Sequence, residues 1–139
     1  MARRRVVITG LGIISPVGNS IDEAWGNILA GRSGIDRITR FDASAFPVQI
    51  AGEVRNFDVS QYIPSKDARR MDTFIHYGMA AGIQAIKDAG LEANPANADR
   101  IGVSIGSGIG GLPLIETTRD ELVAAGARKI SPFFVPGPI

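Results

Sequence analysis

With 139 residues the chain has one domain's worth of sequence, enough to bury about two thirds of the surface its unfolded form would expose, so a real core is available. Its 15 basic and 14 acidic side chains nearly cancel, which excludes a global field able to hold nucleic acid or an anionic membrane and leaves charge-led partners only local patches. Cysteine is absent and histidine occurs once, which excludes disulfides, thiolate zinc sites and a cysteine nucleophile from this sequence; no metal and no cofactor is expected.

The first stretch, MARRRVVITGLGIISPVG, has a basic head and an apolar body, but Gly10, Gly12 and Pro16 interrupt it and no A-x-A-like cleavage site follows. Val6, Val7 and Ile8, a continuous apolar run ended by glycines, predict a strand covered on both faces. No run approaches the roughly 18 apolar residues of a membrane span, so a soluble, cytoplasmic protein is expected. SIDEAWGNILAG predicts a helix. Ser20 and Glu23 make a capping box, Ile21, Ala24, Trp25, Ile28 and Leu29 form the apolar stripe, and Gly31 is the stop. Val48, Ile50, Gly52 and Val54 alternate with Gln49, Ala51 and Glu53, the pattern of a half-exposed strand at an edge or in an excursion.

The longest helix is predicted from Ser65 to about Ala89, stopped by Gly90, with Met71, Phe74, Ile75, Met79, Ile83 and Ile86 on its buried side. Gly78 and Gly82 each cost about 1 kcal/mol relative to alanine inside it, so another backbone is expected to come close there. After NPANADR the sequence predicts a strand from Ile101 to Ile105, a glycine turn, and a helix carrying Leu112, Ile115, Leu122 and Val123 and closed by Gly126. KISPFFVPGPI holds three prolines and cannot be an ordinary helix. Strand and helix signals alternate, which places the chain in the α/β class with a mixed or parallel sheet.

RIGVSIGSGIGG, Arg100 to Gly111, fits two incompatible patterns. Gly106, Gly108 and Gly111 spell the dinucleotide fingerprint, and Gly102, Ser104 and Gly106 the hydrolase G-x-S-x-G. The first needs a carboxylate about 20 residues on, and after Glu121 no acid occurs. The earlier turn GLGIIS has Ser15 where the third glycine belongs, and Asp36 does not follow a strand-like run. The second pattern needs its serine in a strand-to-helix turn and its histidine downstream, whereas Ser104 falls inside the predicted strand and His76 lies upstream. Ser104 is expected as a hydroxyl bonded within a buried sheet and His76 as a packed or partly exposed helix residue. The pairs Asp22–Glu23 and Asp120–Glu121 are expected as solvated surface. Lys66, Arg69 and Arg70 are i, i+3 and i+4 neighbours at a predicted helix start, where cations oppose the helix dipole; they form one basic patch able to dock an acidic partner.

RRVVITGLGIISPVGNS, GRSGI, SKDARRMDTFIHYGMAA, RIGVSIGSGIGG and KISPFFVP, in this order over essentially the whole chain, resemble the beginning of the type II β-ketoacyl-acyl carrier protein synthases of bacterial fatty acid synthesis. The resemblance implies a thiolase-like fold, five-layered α-β-α-β-α in the complete enzyme, with residues 1–139 an incomplete N-terminal ketosynthase domain. It implies a homodimer that elongates acyl chains by decarboxylative condensation with malonyl-carrier protein. Lys66, Arg69 and Arg70 match the positions that dock the acyl carrier protein, Ile109 the residue that lines and gates the acyl pocket, and Phe134 the aromatic residue that crosses the dimer interface to bound that pocket. RIGVSIGSGIGG is then a wall of the substrate channel.

The family's cysteine, two histidines and lysine are expected beyond this chain, so no catalytic residue is assigned in it and it is expected to be inactive alone. The alternative is a non-catalytic module for carrier-protein binding or dimerisation. Gly137-Pro138 departs from the small polar residues more usual in the family, although a glycine cap and a proline at N1 suit a helix about to begin. Phe133, Phe134 and Val135 are expected to leave an apolar patch on this chain by itself.

Overall fold

The helix predicted from SIDEAWGNILAG is α1, Ile21–Leu29, in the computed structural model, which describes residues 3–139. Ser20 Oγ accepts the Glu23 N–H at 3.3 Å, and Glu23 Oε2 accepts the Asn19 N–H at 2.7 Å, one residue earlier than the usual reciprocal bond of a capping box. Gly31 follows at φ 67°, as its role as a stop requires. The apolar stripe is only partly covered: Ala24 is buried, while Trp25, Ile28 and Leu29 are exposed.

The described residues divide into two units, one running through Asp58 and including Ala81–Glu92, the other formed by Val59–Ala80 and Ala93–Ile139. In the first unit, β1 (Ile35–Arg37) pairs antiparallel with β2 (Ile50–Gly52), in the register Ile35 with Gly52, Asp36 with Ala51 and Arg37 with Ile50. β2 is the excursion strand that the alternation around Ile50 predicts. β1 escapes that reading, because three residues are too few to show a period. Asp36 therefore does lie on a strand, but its carboxylate meets Arg55 at 3.0 Å in an exposed ion pair.

Glu53 ties down the loop between these strands. Its carboxylate accepts the Thr39 hydroxyl at 2.7 Å and the Thr39 and Arg40 N–H groups at 3.0 and 3.3 Å. A buried carboxylate is tolerated when such donors replace its water.

The glycines of GLGI are explained in the same unit. Gly10 and Gly12 face the C-terminal half of α3 (Thr73–Asp88) and the residue after it, where an added Cβ would run into Ala85 and Ala89 from Gly10 and into Ala81 and Ala85 from Gly12. Between them the Leu11 N–H donates to Asp88 Oδ2 at 2.8 Å and the Ile13 N–H to Gln84 Oε1 at 3.1 Å. Alternate residues thus offer either a bare backbone or a donor to one helix face, and glycine is needed for contact rather than for a phosphate.

Val6–Ile8, predicted as a buried strand, is exposed and pairs with no other described residue. A strand exists only through its ladder, and these residues have no ladder neighbour here. The same correction applies in the second unit to Ile101–Ile105, whose Val103 and Ile105 stand exposed. Ser104 is exposed too, not a buried sheet hydroxyl. Among the described residues the sheet is therefore a two-stranded antiparallel ribbon, not the mixed or parallel sheet that the alternation predicts.

The helix predicted from Ser65 to Ala89 is also two elements, α2 (Ser65–Ala68) and α3 (Thr73–Asp88), interrupted at Arg69–Asp72. Gly90, at φ 59°, ends α3 as expected. Ala80 is fully buried and Met71, Phe74, Ile75 and Met79 half-buried, but Ile83 and Ile86 are exposed. Gly78 would place a Cβ in ordinary contact with Ile105, and Gly82 faces open space, so no other backbone comes close at either. α4 spans Leu112–Ala125 and closes at Gly126, φ 78°. Residues 132–137 form turns, as their prolines dictate.

The pH dependence of the first unit follows from Glu53. The Thr39 side-chain bond, then the backbone bonds from Thr39 and Arg40, hold its carboxyl below the ordinary glutamate range. A lowered folded pKa means that the unfolded chain binds the proton more readily, so this stabilisation is complete above the ordinary value and is lost as pH falls through the folded one. Urea unfolding measured across the acid range should therefore show a shallower pH slope for Glu53→Gln than for the parent.

Candidate functional site

All five residues assigned binding roles by resemblance lie in the second unit. Lys66 is exposed on α2. Arg69 is the C-cap of that helix and turns back on it, its Nε donating to Ser65 O at 3.1 Å. Lys66 lies within the four residues of α2, and Arg69 and Arg70 follow its last residue, so the three cations do not share the first turn of one long helix. Arg70 lies with its guanidinium carbon 4.3 Å from the centre of the Phe133 ring, a cation–π stack that fixes its direction. Lys66 and Arg69 are the more open cations, and Arg70 connects the patch to the segment bearing Phe134.

Phe134 is half-buried in a turn whose N–H donates to Ser131 O at 3.0 Å. Phe133 and Val135 are exposed beside it, the apolar patch expected there. Ile109 is 74% exposed, at the tip of the glycine turn, and contributes no packing of its own. Of the four glycines around it, Gly106 and Gly108 would place a Cβ in open space. Gly110 and Gly111 are different. Gly110 has φ 78° and would drive a Cβ into Pro138 O, while its N–H donates to Ser107 Oγ at 3.0 Å; Gly111 lies against the Asp72 side chain and donates its N–H to Pro138 O at 2.8 Å. The turn is closed across Ile109 by the Ser107–Gly110 bond and anchored just after it by Pro138.

Asp72 lies against this pinned end. Its Oδ1 accepts the Thr73 N–H at 2.5 Å, and its carbonyl oxygen accepts the Ile75 N–H at 3.0 Å in the first turn of α3. Its Oδ2 accepts the Leu114 N–H at 3.0 Å, at the first turn of α4. Gly111, the N-cap of α4, has no side chain, and Pro113 has no N–H to satisfy, so Asp72 supplies the cap from another element. Its own N–H donates to Gly137 O at 3.2 Å. Gly137 and Pro138 are buried at this junction. The sequence signal was Asp before Thr, an N-cap sign hidden inside a continuous helical period.

His76 carries no site. Its Nε2–H donates to Ala68 O at 2.9 Å, the packed helix histidine expected. Asp120 is exposed against Arg119 at 2.7 Å. Among the described residues no group of three or more His, Asp or Glu side chains could hold a metal ion. No helix among them is long and apolar enough to cross a membrane.

The fold that carries this glycine turn, its exposed apolar tip and the basic patch is that of the ketosynthases. The ishigamide ketosynthase/chain length factor superposes with a TM-score of 0.76 at 32% identity, over 99% of this chain and 34% of that one. A type II PKS acyl-carrier protein in complex with its ketosynthase bound to the hexaketide (AntDE:AntF) gives 0.78 at 26% identity, over 99% and 35%. The model of the beta-ketoacyl synthase N-terminal domain matches residues 3–138. This chain belongs to the beta-ketoacyl synthase family, and its thiolase-like fold is the family's. It is 58% identical over all 139 residues to the 3-oxoacyl-[acyl-carrier-protein] synthase 2 of Vibrio cholerae and 55% identical to that of Coxiella burnetii. The chain spans about a third of the length of these relatives, 34% in each.

Removing the Asp72 carboxylate leaves the Thr73 and Leu114 N–H groups without their acceptor. Asp72→Ala should lower unfolding stability by about 1–2 kcal/mol in urea, the size of a lost cap, and Asp72→Asn by about half as much.

Proposed function

We propose that this chain is the N-terminal part of a 3-oxoacyl-acyl carrier protein synthase that elongates acyl chains by decarboxylative condensation with malonyl-carrier protein in the cytoplasm, acting as a homodimer. The observation that carries the proposal is the match along the whole chain, at 50–58% identity, to proteins named for that reaction. In such a condensation a thiolate displaces the carrier thiol from an acyl thioester. Loss of carbon dioxide from the malonyl thioester then supplies the carbanion that attacks the acyl carbon and expels the thiolate. This sequence has no cysteine to open that sequence of steps, so its part is recognition and containment.

Lys66 and Arg69 present open cations to an acidic carrier protein, with Arg70 held against Phe133 as the inner edge of the same patch. Ile109 offers an apolar tip to the acyl chain, and Phe134 sits on the segment that would bound the pocket with the partner subunit. The exposed apolar residues of Val6–Ile8 and Ile101–Ile105 suit two-sided strands that other parts of such an enzyme cover. The absence of a cysteine supports a second reading, a non-catalytic module that binds carrier protein or pairs with another chain.

With acyl- and malonyl-carrier protein supplied, the chain alone should yield no ketoacyl product while binding the carrier. Charge reversal at Lys66 and Arg69 together should weaken that binding about tenfold or more and flatten its salt dependence. Product formed by this chain unaided would refute the assignment of the chemistry elsewhere. Unchanged affinity would remove the two cations from docking. Product made by a complete relative but never by the full-length protein containing this chain would favour the non-catalytic module.

A further inference from the structure

We propose that Asp72 is a positioning residue for the acyl-binding turn, setting where Ile109 stands relative to the carrier-docking patch; this rests on the reading of Ile109 as a pocket residue given above. Four bonds meet at Asp72, from Thr73 and Ile75 at the start of α3, from Leu114 in the first turn of α4, and to Gly137 in the segment that follows Phe134. Gly137 is close-packed against Leu114 and the Arg70 carbonyl, and Gly111 against the Asp72 carboxylate, so neither glycine has room for a side chain.

From this junction three features diverge. Two residues back is Arg70, stacked on Phe133. On the α4 side, Gly111 and Gly110 fix the end of the turn, leaving Ile109 as the first residue beyond the clamp. On the third side Gly137 and Pro138 anchor the chain that carries Phe134. Before Ile109, Ser107 Oγ accepts the Gly110 N–H at 3.0 Å and closes the turn on itself, while Gly102, Gly106 and Gly108 have open space where a Cβ would be. The tip is joined to the rest of the unit through Gly110 and Gly111, and it takes its position from that end. Displacing Leu114 from Asp72 therefore moves Ile109 more than it moves α3, whose start keeps its own acceptor.

Serine separates the two duties. As an N-cap it serves α3 about as well as aspartate, but its single oxygen, one bond shorter, cannot also reach Leu114. In this chain, Asp72→Ser should keep the amide-exchange protection of α3 and lose that of Gly111 and Leu114, with greater motion of the Ile109 methyl groups by NMR. Unchanged protection at Gly111 and Leu114 would overturn the clamp itself. Should Asp72→Ser fold poorly, Asp72→Asn makes the same separation with a longer side chain.

In the full-length protein, kcat/KM is then compared for a short and a long acyl primer thioester. Asp72→Ser should change their ratio by about threefold or more, with affinity for carrier protein unaltered, because a sub-ångström displacement of a pocket wall changes discrimination before it changes docking. Equal loss on both primers, the result of a purely structural role, overturns the proposal. Ile109→Ala is the control that separates the two levels. If it shifts the ratio and Asp72→Ser does not, the positioning proposal alone falls; if neither shifts it, the pocket reading falls and the proposal with it.

Discussion

Two helices in the second unit begin at one carboxylate. A helix start exposes N–H groups that its own turn cannot satisfy and concentrates partial positive charge there. Most helices answer this with their own N-cap side chain. α4 cannot, because Gly111 has none, and α3 would otherwise continue backward into α2. Asp72 serves both starts, accepting the Thr73 and Ile75 N–H groups with Oδ1 and its carbonyl oxygen and the Leu114 N–H with Oδ2, and its backbone N–H holds Gly137 in the same place. The small residues around it follow as a necessity: Gly111 and Gly137 are bare because Asp72, Leu114 and the Arg70 carbonyl occupy the volume that a side chain would fill.

The first unit solves a related problem by different means. There the backbone of GLGI lies on the C-terminal half of α3, with Gln84 and Asp88, one turn apart, accepting the N–H groups of Ile13 and Leu11. Ala81, Ala85 and Ala89 repeat at the same interval and let Gly10 and Gly12 approach. Gln84 also donates to Asn19 O, and Asn19 Nδ2 to Arg55 O, so one helix face organises the entry to α1 and the end of the hairpin. Of the glycines that read as nucleotide-binding punctuation, Gly10, Gly12 and Gly111 are spacers where a backbone meets a helix or a carboxylate, while Gly106 and Gly108 face open space.

Much of this was legible in the sequence wherever the signal is local. Ser20, Gly31, Gly90 and Gly126 mark helix ends through their own conformations, and each holds in the structure. The break at Arg69–Asp72 was hidden because apolar spacing continues across it; only the bond from Thr73, together with the distant Leu114, makes Asp72 a cap instead of a surface charge. Cations that looked misplaced at a helix start were the one clue, since the three do not share the first turn of one long helix. Periodicity likewise reports the surroundings for which a segment is built, whereas a ladder requires neighbours to be present. Val6–Ile8 and Ile101–Ile105 carry the composition of two-sided strands and have no ladder partner among the described residues.

The candidate site was less legible than the fold for the same reason. Resemblance places Ile109, Phe134 and the three cations, but not what makes them act together. Arg70 illustrates the difference. As one of three neighbouring cations it is interchangeable with Lys66; stacked on Phe133, two residues ahead of Asp72, it is the member whose position is fixed by the segment leading to Phe134. A lysine there would keep the charge and lose the planar stack, since an ammonium group lacks the flat face that a guanidinium lays on a ring. The basic patch and the segment bearing Phe134 are therefore joined by one contact, in which Arg70 answers to shape as well as to charge.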